Sequence, residues 1–175
     1  MQTDETKSPS EDSPANVLRR LLECYGDGSD GSAPTETQWN RVFARPTDAP
    51  ITLINFFSLR EKADYDDLDH DADGEAEDEA GNGAEGGPGV SGAEAMMRYA
   101  AISGPSLESV GGRFLLMGPH EFTLMGPDED WDMVAIGRYP SRNALIALFE
   151  NEAYAKAYRH RRAAVGRQRV LAVQG

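Results

Sequence analysis

Two rhythms of apolar residues run along this chain, separated by stretches that have none. Val17, Leu18, Leu21, Leu22 and Tyr25 recur at helical spacing, with Arg19, Arg20 and Glu23 on the opposite side. Ser13-Pro14 supplies an N-cap followed by proline at the first helical position, and Gly26 is the stop. After a loop over residues 26–34, Thr35 or Thr37 caps a second short helix that carries Trp39, Val42 and Phe43 on one stripe and ends at Pro46. Both helices are expected to cover an edge or a face of the main sheet. Residues 51–58 are apolar at odd and even positions alike, which predicts a strand covered on both faces. Asn55 is the one polar interior side chain there, and a buried amide needs partners.

Periodicity is lost after this strand and returns at Ser91. Residues 93–110 predict a helix with Met96, Tyr99, Ala100, Ser103 and Leu107 on one face, kinked or split at Pro105 and stopped by Gly111-Gly112. Residues 113–117 read as a second strand, broken at Gly118-Pro119 and resumed over 121–125 as one long bent strand. A hairpin loop at 126–130 leads to a third strand at 131–139. Ser141 caps a helix that buries Leu145, Ile146 and Phe149. Asn151-Glu152 restarts it, with Ala153, Tyr154, Ala157, Tyr158 and Arg161 around one side. Gly166 stops it, and residues 167–173 form the closing strand. The order β-α-β-β-α-β defines an α+β fold, the ferredoxin-like split β-α-β sandwich: a four-stranded antiparallel sheet with helices on one face.

Charge sharpens the domain boundaries. The 175 residues carry a net charge of −13, yet 12 of the 30 acidic residues lie between positions 61 and 85 and four more in the first 13. From Ser91 onward 9 acidic residues face 10 basic ones, so the folded part is nearly neutral. We therefore expect a disordered tail at 1–13, a helical extension at 14–49, and one domain at 50–174 interrupted by a disordered, acidic, glycine-rich insert at 64–92. Acidity argues against nucleic acid and against anionic membrane as partners. A lone cysteine, Cys24, excludes an intrachain disulfide. The polar start lacks the apolar run of a signal peptide, and no stretch has the length of a membrane span, so a cytoplasmic location is expected.

Two motif matches fall inside the insert, and both fail on context. Residues 81–86 satisfy G-x-G-x-x-G without the flanking strand and helix that a dinucleotide site needs. Residues 69–74 match half an EF-hand loop, but Ala80 stands where the bidentate glutamate belongs. A solvated acidic linker explains both. It could also act as an interaction tail for a basic partner, which is the weakest of the functional readings.

Several segments together carry a family resemblance: Ile54-Asn55-Phe56-Phe57, Met97-Arg98-Tyr99-Ala100, Gly111-Gly112-Arg113, Trp131-Asp132-Met133-Val134-Ala135, Arg138-Tyr139-Pro140-Ser141-Arg142 and Asn151-Glu152-Ala153-Tyr154. In order and spacing they resemble the uncharacterised bacterial family known as domain of unknown function 1330. The resemblance spans about residues 50–173, excluding the acidic insert, which is atypical. It implies a dimeric α/β barrel in which two sheets pack face to face around a central cavity, and a superfamily that includes monooxygenases, isomerases and stress proteins. It implies no catalytic residue. The doubly apolar strands ask independently for a cover over the sheet, which a second subunit or the N-terminal helices would supply.

Within such a barrel the polar candidates for ligand binding are Asn55, Tyr99, Arg113, His120, Arg138, Tyr139, Tyr154 and His160. His160 belongs to a basic cluster, residues 158–162, near a helix C-terminus. The plain reading is a solvated helix end; the functional one is a rim that binds a carboxylate or phosphate. His120 lies at the strand break, where a turn histidine competes with a site residue. His70 belongs to the linker. The three histidines and one cysteine form no metal-ligand spacing, and neither a Gly-x-Ser-x-Gly elbow nor a P-loop occurs. No metal and no cofactor is expected. The chain reads as a small-molecule-binding homodimer, with cofactor-free oxygenase- or isomerase-like chemistry open to it. The alternative is a non-catalytic structural or stress-associated homodimer.

Overall fold

The computed structural model describes residues 13–66 and 89–175. The chain divides into two compact units, one through Pro46 and one from Thr47. In the first, α1 (Pro14–Tyr25) starts where Ser13 Oγ accepts the backbone N–H of Asn16, and it buries Val17, Leu21 and Tyr25. α2 (Glu36–Phe43) opens with a reciprocal capping box. Thr35 Oγ1 accepts from the backbone of Gln38, and the Gln38 side chain accepts from the backbone of Thr35. Of the two candidate caps, Thr35 is the one used.

The second unit runs β1 (Ile51–Leu59), α3 (Gly92–Ser109), β2 (Arg113–Pro119), β3 (Met133–Tyr139), α4 (Arg142–Phe149), α5 (Glu152–Ala164) and β4 (Val165–Gln174). The strands lie in the order β2-β3-β1-β4, and every neighbouring pair is antiparallel. That is the four-stranded antiparallel sheet expected from the order of elements.

Register sorts the side chains into two faces. One face carries the cross-strand rows Arg113–Arg138–Thr52–Val173, Leu116–Ile136–Ile54–Leu171 and Gly118–Val134–Phe56–Arg169. The other carries Phe114–Gly137–Leu53–Ala172, Met117–Ala135–Asn55–Val170 and Pro119–Met133–Phe57–Gln168. The second is the helix side, because Arg161 of α5 lies over the ring of Phe57. A register shift between Phe114 and Leu116 lets β2 place an extra residue, Leu115, against β3.

Helix boundaries follow the sequence closely. Ser91 makes a capping box with Glu94, Ser141 Oγ accepts from Ala144, and the Asn151 side chain accepts from Tyr154. α3 closes at Gly111, whose φ of 77° suits glycine, and the backbone N–H of Gly112 returns to Leu107.

Three expectations are corrected. Pro105 does not split α3, which is one element from Gly92 to Ser109 with the proline inside it. Gly104 lacks the Cβ that would crowd the proline ring, and Ser106 Oγ bonds back to the Ile102 carbonyl at 2.8 Å.

Residues 121–125 do not resume β2. The last backbone bond on that side is His120 N–H to the Asp132 carbonyl, 3.1 Å. Asp132 then turns to β1: its N–H reaches the Phe57 carbonyl at 2.8 Å and its carboxylate takes the Leu59 N–H at 2.6 Å. Residues 121–125 have lost their partner, and Phe122, Leu124 and Met125 are exposed.

Both ends of the span expected to be insert are ordered. Ala63 donates to the Val90 carbonyl and Asp64 to that of Ala163, Lys62 bridges Ser91, and Tyr65 is buried. Residues 64–66 and 89–92 thus belong to the folded unit. The rest of the insert and the tail through residue 12 lie outside the described residues, with the two rejected motif matches and His70 among them.

Candidate functional site

The helix side of the sheet is built mostly from small and apolar residues, and one group there is out of keeping. Arg161 is 7% exposed. It rides on the inner stripe of α5, seven residues after Tyr154 and three after Tyr158, so the helical repeat that buries the tyrosines buries it too.

Its guanidinium carbon stands 4.9 Å from the ring centre of Phe57, 5.3 Å from that of Tyr158 and 5.7 Å from that of Tyr99. Nε and Nη2 donate to a single oxygen, Gln168 Oε1, at 3.2 and 2.8 Å, and Nη1 donates to the Tyr99 hydroxyl at 3.4 Å. Every group holding the cation is neutral. Among the described residues no carboxylate pairs with it.

Around the arginine lies a tyrosine shell. The Tyr99 and Tyr154 hydroxyls are 2.9 Å apart. Tyr154 meets Phe149 edge-on at 5.3 Å between ring centres, and Tyr99 meets Tyr158 edge-on at 6.3 Å. Burial pushes the Tyr139 and Tyr154 hydroxyls well above the ordinary tyrosine value, outweighing the nearby Arg161 charge that would lower them. Both are neutral hydrogen-bond donors at physiological pH. Desolvation alone would lower the Arg161 pKa, but Tyr158, Tyr99 and Tyr154 outweigh it, and the guanidinium stays charged. The assembly offers one fixed cation, several hydroxyls and apolar walls.

Of the residues singled out from the sequence, Tyr99, Tyr139 and Tyr154 converge here. Asn55 shares this sheet face, two residues from Phe57. Its amide donates to the carbonyls of Ala135 at 3.1 Å and Leu53 at 3.4 Å, which answers the need of a partly buried amide. His160 points elsewhere: its Nδ1 meets the Tyr65 hydroxyl at 2.8 Å, with the two rings edge to face. Arg113 and Arg138 are exposed partners on the opposite face. His120 is half-buried just past the end of β2.

Sequence reasoning set Tyr158 and Arg161 on the same side of the helix as Tyr154, but it named neither of them, nor Gln168, as a site residue. Arg161 sat in a basic cluster read as a solvated helix end, and for this residue that reading is wrong. The usable signal was its phase: position 161 continues the stripe 154, 157, 158, whereas 159, 160 and 162 do not. No cluster of three or more His, Cys, Asp or Glu side chains suited to a metal occurs among the described residues, and no helix there is long and apolar enough to cross a membrane.

The profile of a family described as a domain of unknown function (DUF1330) matches residues 89–175. The crystal structure of RPA0582, a protein of unknown function from Rhodopseudomonas palustris, aligns with a TM-score of 0.65 and 31% sequence identity, covering 82% of this chain and 95% of that one. The crystal structure of methylated RPA0582 protein aligns with a TM-score of 0.65 and 33% identity, covering 82% of this chain and 93% of the other. No curated protein matches the chain.

Proposed function

The chain belongs to the DUF1330 family, and from that premise we propose that it is a homodimer binding a small, partly apolar molecule among the tyrosines around Arg161. The carrying observation is the enclosure of a permanent cation and several hydroxyl groups between sheet and helices. Cores built for stability alone use apolar side chains there, because moving a charge out of water costs several kcal/mol unless it is well compensated. A polar, aromatic interior of this kind is what a ligand site needs: apolar walls with a few fixed polar groups. Such a site can host cofactor-free proton transfer or oxygenation, with the tyrosine hydroxyls as donors.

The homodimer draws on the opposite face of the sheet. The row Leu116–Ile136–Ile54–Leu171 crosses all four strands, and its outer members Leu116 and Leu171 are 52% and 45% exposed. A second copy laid on that row would remove the exposed apolar surface and close two sheets into a barrel. The second reading, a homodimer without chemistry, draws on this row alone.

Native mass spectrometry of protein purified without denaturation tests both. The expected result is a dimer that carries, or takes up from a small-molecule panel, an added mass. A monomer overturns the assembly. A bare dimer that takes up nothing overturns the ligand site and leaves the second reading.

A further inference from the structure

The Arg161–Gln168 contact points to the chemical class of the ligand. An arginine presents its Nε and one Nη as a two-pronged edge that matches the two oxygens of a carboxylate. In this protein that edge converges on one amide oxygen, Gln168 Oε1, with donor distances of 3.2 and 2.8 Å. The amide fills one of the two acceptor positions and brings no charge. Three aromatic rings surround the remaining surface of the cation. They fix the guanidinium plane and stabilise the charge in part, but a ring face is no substitute for a counter-ion in a desolvated site.

Position supports exchange. Gln168 is half-buried on β4, an edge strand, directly opposite Phe57. The next residue on its face, Val170, is 42% exposed. The guanidinium edge therefore faces an edge strand, and the Gln168 side chain stands between it and solvent. Phe57, Tyr99 and Tyr158 would then meet whatever the carboxylate is attached to, so the rest of the ligand is flat or apolar.

We propose that Arg161 captures the carboxylate of a small aromatic or aliphatic acid, that Gln168 is the neutral placeholder the acid displaces, and that the ligand of this site is a monocarboxylate. This rests on the ligand-site reading above. It differs from the rim first considered at the basic cluster, because Arg159, His160 and Arg162 take no part.

Calorimetric titration of the full-length protein tests it, using benzoate, phenylacetate and hexanoate, each paired with its primary amide. The acids bind at least about tenfold more tightly than their amides, since only they supply the missing charge. Gln168→Glu places a carboxylate permanently on the guanidinium edge; it loses acid binding while its melting temperature holds or rises, which separates a filled site from an unfolded protein. Gln168→Ala binds the acids as well as or better than the wild type. Acids and amides binding equally, or acid binding that survives in Gln168→Glu, overturns the carboxylate assignment and leaves the ligand site standing. No binding of any probe to the wild type overturns the ligand site itself, and the assignment with it.

Discussion

The hydroxyl oxygens of Tyr99 and Tyr154 stand 2.9 Å apart in the buried layer, tying α3 to α5, and Tyr99 is also the acceptor for Arg161 Nη1 at 3.4 Å. The two tyrosines are therefore not equivalent. Tyr154→Phe removes one neutral hydrogen bond and should cost about 1 kcal/mol. Tyr99→Phe also strips a buried cation of an acceptor and should cost about 2 kcal/mol. Urea unfolding of both single variants and the double variant checks this. The double variant should fall close to Tyr99→Phe, because both changes break the same pair.

Alkaline pH should destabilise the protein through the same shell. Burial raises the Tyr139 and Tyr154 hydroxyls above the ordinary value of 10.0. In the unfolded chain each loses its proton near that ordinary value, whereas the folded protein holds it to higher pH. Above the unfolded value the unfolded chain binds fewer protons, so stability falls as pH rises. The contribution is fully present below that value and is lost progressively above it. Unfolding midpoints measured between about pH 8 and pH 11 should decline at the upper end. Tyr154→Phe should decline less steeply than the wild type over the same range. A slope unchanged by that substitution would assign the loss to other groups.

Most of the fold could be read from the sequence because its signals are local. Ser13, Ser141 and Asn151 each combine a cap with an apolar period that starts directly after it, and all three start helices. What could not be read depends on contacts distant in the chain. The apolar run at 121–125 looks like strand, but a strand needs a partner, and Asp132 had already turned the facing segment toward β1. Arg161 is the converse case. Its neighbours in sequence are basic residues, while its neighbours in space are Phe57, Tyr99 and Gln168, which come from β1, α3 and β4. Only the helical phase of position 161 hinted at this, and a charge on an inner stripe is read as an exception until the rings around it are known.

Gly92 should be intolerant of substitution. It is the first residue of α3, and its backbone N–H bonds to the Arg60 carbonyl at 3.1 Å, closing the helix start against the end of β1. A Cβ there would collide with that Arg60 oxygen and come within 2.9 Å of the Ala164 carbonyl. Both obstacles are backbone, so neither can rotate away. Gly92→Ala should therefore cost about 2–4 kcal/mol, although alanine favours helices elsewhere. Chemical denaturation reads this directly. A neutral or stabilising result would mean that α3 can slide from its place over Arg60 without penalty.

The open sheet face gives the sharpest test of assembly. Ile136 sits at the middle of the apolar row, flanked by Leu116 on β2 and Ile54 on β1, while the next row toward one end pairs Arg113 with Arg138. Like charges directly opposite in a ladder are unfavourable by a few tenths of a kcal/mol or more, so this end of the face gains nothing from neighbours in its own sheet. A second copy docked on the apolar row covers Ile136 completely. Ile136→Lys would then leave an ammonium group in a desolvated contact, costing several kcal/mol of association, and sedimentation velocity should find a monomer. The fold itself should survive, since Ile136 is only half-buried in the isolated subunit and the helix side is untouched. Circular dichroism should match the wild type, and titration with benzoate should still respond to Gln168→Glu when that change is combined with Ile136→Lys. A variant that remains dimeric would move the interface off this face. A variant that is monomeric and no longer binds the acid would make the ligand site depend on the assembled dimer, despite lying on the opposite side of the sheet.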